Sequence, residues 1–148
     1  MLVTIVMGTN ILYQALRSNS GASFFILKLI RSRKIRLALS IPVFTEYQDV
    51  LSRKTSLKGF AFKIEDVNKI LIFISYISVP YNISFISRPN LRDEEDNKFV
   101  ELALVANARY LISSNIKDFH HDKNLSFPDL QIITPGDFVK KWREENEK

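Results

Sequence analysis

Short apolar runs alternate with helix-spaced patterns along the whole chain, and this alternation most narrows the folds open to it. Val3 to Met7 reads as a buried strand that ends at Gly8-Thr9-Asn10. Ile11, Leu12, Ala15 and Leu16 then recur at helical spacing, and after Ser20-Gly21 a second helical stretch puts Phe24, Leu27 and Ile30 on one side. Arg36 to Ser40 is a second strand. Pro42 suits the first turn of the next helix, where its missing amide proton would have no partner. That helix runs to about Ser52 and carries Glu46 one turn in. The pattern breaks from Lys54 to Phe62 around Gly59. It resumes as a helix face of Ile64, Val67, Ile70 or Leu71, and Ile74, with Glu65 and Asp66 favourably placed in its first turn. Ile77 to Pro80 forms a third strand, and Ser87 to Asn90 a surface connection. An acid run, Asp93-Glu94-Glu95-Asp96-Asn97, opens a helix that reaches Ala106. The strand Tyr110 to Ser113, an irregular stretch from His120 to Asp129, a strand from Leu130 to Ile133 and a terminal helix from Pro135 complete the order. Strands separated by helices imply right-handed crossovers, hence an α/β fold with a small, mainly parallel central sheet flanked by helices on both faces.

With 148 residues, 46% of them hydrophobic, the chain suits one compact core and is short for two, so residues 1–148 read as a single domain. The absence of cysteine excludes disulfides and thiolate metal sites, and His120 and His121 make no zinc site without carboxylate help. The first seven residues lack the basic start and longer apolar run of a signal peptide, and no segment approaches the roughly 20 apolar residues that cross a bilayer. A cytoplasmic protein is expected. The net charge of +5, from 21 basic against 16 acidic residues, favours a polyanionic partner. The densest basic stretch, Lys28, Arg31, Arg33, Lys34 and Arg36, also reads simply as cations suited to a helix C-terminus.

Against that basic background the acid run is conspicuous, because clustered carboxylates repel one another and a divalent cation relieves the repulsion. In open parallel sheets the ligand crevice lies beyond the carboxyl ends of the strands, near a switch in strand order. Gly8 follows the first strand, Glu46 opens the helix after the second, Asp118 lies just past the fourth, and Asp96 sits on the helix feeding it. The topology can gather all four. Taken singly, each acid has a plainer explanation: Asp93 and Asp96 as helix-start residues, Glu46 as a solvated helix residue, Asp118 as a turn former beside Asn115.

Four segments in order, Val-Met-Gly8-Thr9-Asn10-Ile-Leu, Phe-Thr-Glu46-Tyr, Asp93-Glu-Glu-Asp96-Asn97-Lys-Phe-Val-Glu, and Tyr110-Leu-Ile-Ser-Ser-Asn115-Ile-Lys-Asp118-Phe, resemble the PIN-domain ribonucleases. The resemblance is strongest to VapC-like toxins of type II toxin-antitoxin systems, and it spans nearly the whole chain. It implies a small parallel sheet that gathers three or four acids around Mg²⁺ or Mn²⁺ to cut RNA. By motif, Glu46, Asp96 and Asp118 occupy acid positions as metal ligands and catalytic residues. Thr9, Asn10 and Asn115 are polar neighbours, and Asp93 is an outer member.

At Gly8 the chain departs from the family, whose pattern has aspartate there. Glycine supplies no ligand atom, so the resemblance implies an impaired endoribonuclease toxin. A plainer reading has Gly8 permit a sharp exit from the strand, with positive φ. A non-catalytic PIN-fold protein that binds RNA or an antitoxin is the alternative function. A receiver-like signalling domain also places acids at strand ends, but Gly8 suits it poorly. Beyond RNA and an antitoxin, a homodimer is expected if the helix faces at Phe24 to Ile30 and Ile64 to Ile74 leave apolar residues exposed. Trp142 is expected to anchor the terminal helix.

Overall fold

The computed structural model describes residues 2–53, 63–83, 94–116 and 129–147, with the backbone alone for 94–96. The expected loops Lys54 to Phe62 and Ser87 to Asn90, and nearly all of His120 to Asp129, lie outside the described residues. Along the chain run β1 (Thr4–Met7), α1 (Thr9–Arg17), α2 (Ala22–Arg31), β2 (Arg36–Leu39), α3 (Ile41–Leu51) and α4 (Ile64–Ile77). They are followed by β3 (Val79–Pro80), α5 (Glu94–Val105), β4 (Tyr110–Ile112), β5 (Gln131–Ile133) and α6 (Pro135–Asn146).

The five strands form one sheet in the order β3-β2-β1-β4-β5, and every pairing is parallel. The chain steps from β1 through β2 to β3, then returns past β1 to β4 and β5. Helices α1 and α2 pack together, with α6 against α2, while α5 packs on β1, β2 and β4 and meets α3. The reversal falls between β1 and β4, the position where such sheets open a ligand crevice.

Local chemistry accounts for the element boundaries. The Ser40 hydroxyl caps α3 by accepting from the Val43 amide at 3.3 Å, and Pro42 follows in its first turn. Thr134 caps α6 likewise, accepting from the Asp137 amide at 3.2 Å, with Pro135 next. The Asp66 carboxylate accepts from the Lys63 amide at 3.0 Å at the start of α4. Helix α4 continues through Ile77, which confines the third strand to Val79 and Pro80. Strands β1, β2 and β4 are buried almost throughout, as expected of parallel strands covered on both faces. Their side chains join Ile11, Leu12, Ile26, Ile30, Val43, Leu51, Val67, Ile74, Val100, Leu102 and Phe138 in one apolar cluster.

The terminal helix is held as expected. Trp142 meets Phe25 of α2 edge-to-face, with centroids 5.8 Å apart, and the Lys34 ammonium lies 5.8 Å from its ring centre. On α4 the expected core face is buried at Val67, Leu71 and Ile74 and exposed at Ile64 in the first turn, and Ile72 and Tyr76, off that face, also stand exposed. Among the described residues no helix is long and apolar enough to cross a membrane. Trp142→Ala is expected to lower unfolding stability by about 2 kcal/mol, below the cost for a fully buried tryptophan because the ring is only partly covered. Urea unfolding followed by circular dichroism checks it.

Candidate active-site crevice

A crevice of about 740 Å³ opens at the carboxyl ends of β1, β2 and β4, and Gly8, Thr9, Asn10, Glu46, Lys98, Ser113 and Asn115 all line it. The strand order dictates its position. Gly8 directly follows β1, Ser113 follows β4, and the Gly8 amide donates to the Ile112 carbonyl at 2.9 Å, closing the floor at the switch point.

Glu46 reaches this floor because α3 is fastened to the end of β1. The Tyr47 hydroxyl, fully buried, donates to the Met7 carbonyl at 2.5 Å. One residue earlier on α3 and two later on the strand side, the Thr9 hydroxyl donates to Oε2 of Glu46. The second carboxylate oxygen, Oε1, accepts from the Lys98 ammonium of α5 at 3.1 Å. Three elements thus converge on one carboxylate. Glu46 and Lys98 are 17% and 27% exposed, so water screens the pair less than it would a surface pair. A pair so close attracts by about 5 kcal/mol at an effective dielectric near 20, an attraction that desolvation offsets in part. The other pair at the rim, Arg53 with Asp49 at 2.8 Å, is exposed and contributes little.

Burial, and secondarily the charge of Glu46, pushes the Tyr47 hydroxyl far above the usual phenol range. The folded protein therefore retains a proton that the unfolded chain releases near pH 10, and stability is unaffected below that pH and falls above it.

Gly8 does not have the positive φ expected of a sharp turn. Its φ of −62° and ψ of 152° are open to any residue. What favours glycine is contact: an added Cβ would lie 3.1 Å from the Ile112 carbonyl oxygen, close enough that this oxygen must give by a few tenths of an ångström. Gly8 is also the N-cap of α1 and offers no side-chain acceptor there, a place where aspartate is favoured.

Of the residues expected to form the site, Gly8, Thr9, Asn10, Glu46 and Asn115 come together. Asp96 lies in the first turn of α5, two residues before Lys98, and its side chain is outside the described residues, as are Asp93 and Asp118. Among the described residues no three acids, histidines or cysteines group to hold a metal. The donors that face the crevice are nonetheless hard oxygens, from carboxylate, hydroxyl and carboxamide groups, and so fit Mg²⁺ or Mn²⁺ in kind. Lys98, Tyr47 and the buried Asn97, whose Oδ1 has no hydrogen-bond partner among the described residues, carry no site role that local spacing reveals. Lys98 stands directly after the acid run, and that position was the one available signal.

An open parallel α/β sheet with an acid-bearing crevice at its switch point defines a class of ligand-binding folds. Within it, residues 4–117 match the PIN domain family, and the chain belongs to that family. In fold it is similar to a chain in the crystal structure of VapBC2 from Rickettsia felis bound to a DNA fragment from their promoter. The TM-score is 0.58 and the identity 22%, over 89% of this chain and 98% of that one. Comparison with curated proteins finds no match.

Tyr47→Phe is expected to cost about 1–2 kcal/mol at neutral pH by removing the buried donor to Met7. It should also remove the part of the stability loss above about pH 10 that reflects this hydroxyl, at most about 1.4 kcal/mol per pH unit. Urea unfolding of both proteins between pH 8 and 11 measures each effect.

Proposed function

We propose that this PIN-domain protein is the VapC-like toxin component of a toxin-antitoxin system, an RNA-cutting enzyme dependent on Mg²⁺ or Mn²⁺ whose activity is impaired at Gly8. The observation that carries the reading is the placement of Glu46, Thr9, Asn10 and Asn115 around Gly8 at the β1/β4 switch point. Glu46, Asp96 and Asp118 are the acids that would hold the cation. Bound there, the ion would supply Lewis-acid stabilisation of phosphate charge and lower the pKa of a water. Thr9 positions Glu46 through its hydroxyl, and Asn10 and Asn115 offer polar side chains for orienting the RNA backbone.

The net charge of +5 supports an RNA substrate, and a cytoplasmic location fits such a substrate. Exposed Ile72 and Tyr76, with a groove lined by Leu16, Phe24, Leu27 and Phe73, support an apolar partner such as an antitoxin helix or a second copy of the chain. A second reading, binding of RNA or antitoxin without cleavage, is favoured by the absent side chain at Gly8 and the already paired carboxylate of Glu46.

Gly8→Asp is expected to raise Mn²⁺- or Mg²⁺-dependent cleavage of RNA by at least about 10-fold, while Gly8→Ala, which adds the same Cβ without a ligand, gives no gain. Adding Asp96→Asn to Gly8→Asp should abolish the increase. A folded Gly8→Asp protein that leaves RNA intact would favour the binding reading instead.

A further inference from the structure

Lys98 holds the one described carboxylate that faces the crevice floor, and the arrangement goes beyond ordinary surface pairing. Oε1 of Glu46 accepts from Lys98 at 3.1 Å, Oε2 accepts from Thr9, and both members of the ion pair are largely shielded. The carboxylate therefore presents no oxygen free of a partner. Gly8, directly before Thr9, adds no negative charge. Among the described residues that line the crevice, Glu46 is balanced by Lys98 and Asp49 by Arg53.

We infer that Lys98 is a built-in counter-ion that competes with a divalent cation for Glu46, so that the ammonium weakens metal binding in this crevice. This deepens the nuclease reading and rests on it for the role of Glu46 as a ligand. The physical argument is direct. The ammonium already takes up one acceptor site on Oε1, and a cation approaching Glu46 with Lys98 in place meets a like charge a few ångströms away. Thr9 donates to Oε2 independently of Lys98, so Glu46 keeps a tether to the crevice floor when the ammonium is removed.

Calorimetric titration of Mn²⁺ into the purified protein and into Lys98→Met, without RNA, tests the inference. Lys98→Met is expected to bind Mn²⁺ at least about 10-fold more tightly, the change expected when a repulsion of roughly 1.4 kcal/mol is relieved. Lys98→Arg, which keeps the charge, should bind as the parent does, and adding Glu46→Gln to Lys98→Met should erase the gain. Thermal unfolding gives a second readout: Mn²⁺ should raise the melting temperature of Lys98→Met more than that of the parent. If Lys98→Met is poorly folded, Lys98→Gln serves in the same titration. Equal or weaker Mn²⁺ binding after loss of the ammonium overturns the inference. Tighter Mn²⁺ binding without RNA cleavage in the Gly8→Asp background leaves it standing and counts against the nuclease reading alone.

Discussion

The hydrogen bond from the buried Tyr47 hydroxyl to the Met7 carbonyl joins α3 to the last residue of β1, and the geometry of the crevice depends on it. A phenol deep in a parallel α/β core is tolerable only with a partner, because an unpaired buried hydroxyl forfeits its hydration without return. Here the partner is the carbonyl just before Gly8. The bond thus sets the distance between the strand end that carries Gly8 and Thr9 and the helix face that carries Glu46. With that distance fixed, Thr9 can reach one oxygen of Glu46 and Lys98 of α5 the other.

Charge then sets the state of the site. A shielded carboxylate at a strand-end crevice needs a neutralising partner, and at Glu46 this chain supplies a lysine of its own. The absence of a carboxylate at Gly8 works in the same direction, since fewer negative charges need neutralising. The glycine is held by close approach to the Ile112 carbonyl, not by an unusual backbone angle. An aspartate in its place meets a tight contact with that carbonyl and gains a helix N-cap role.

Much of this architecture is visible in the sequence, because strands buried on both faces must be continuously apolar and the helices between them must repeat at 3.6 residues. Val3 to Met7, Pro42, the face of Val67 and Ile74, and Pro135 each mark an element that the structure contains. The end of α4 was harder to see, since Ile77 reads equally well as the last residue of a helix or the first of a strand. In the crevice, Glu46 was legible from its place one turn into a helix after a strand. Its partner Lys98, 52 residues away, was not, because local spacing carries no information about which side chain will meet which across a sheet. The conformation of Gly8 was misjudged for a related reason: composition flags a glycine but not whether a torsion angle or a neighbouring carbonyl demands it.

As proposed here, the β1/β4 switch point is a divalent-cation crevice with one ligand position vacated at Gly8. Anomalous diffraction at the manganese edge from crystals of Gly8→Asp grown with Mn²⁺ tests it most directly. The expected result is a peak within coordination distance of the introduced aspartate carboxylate and of Glu46, with the Asp96 or Asp118 carboxylate completing the set. A peak elsewhere on the surface, or a crevice in which Glu46 keeps its lysine and no manganese appears, would contradict it.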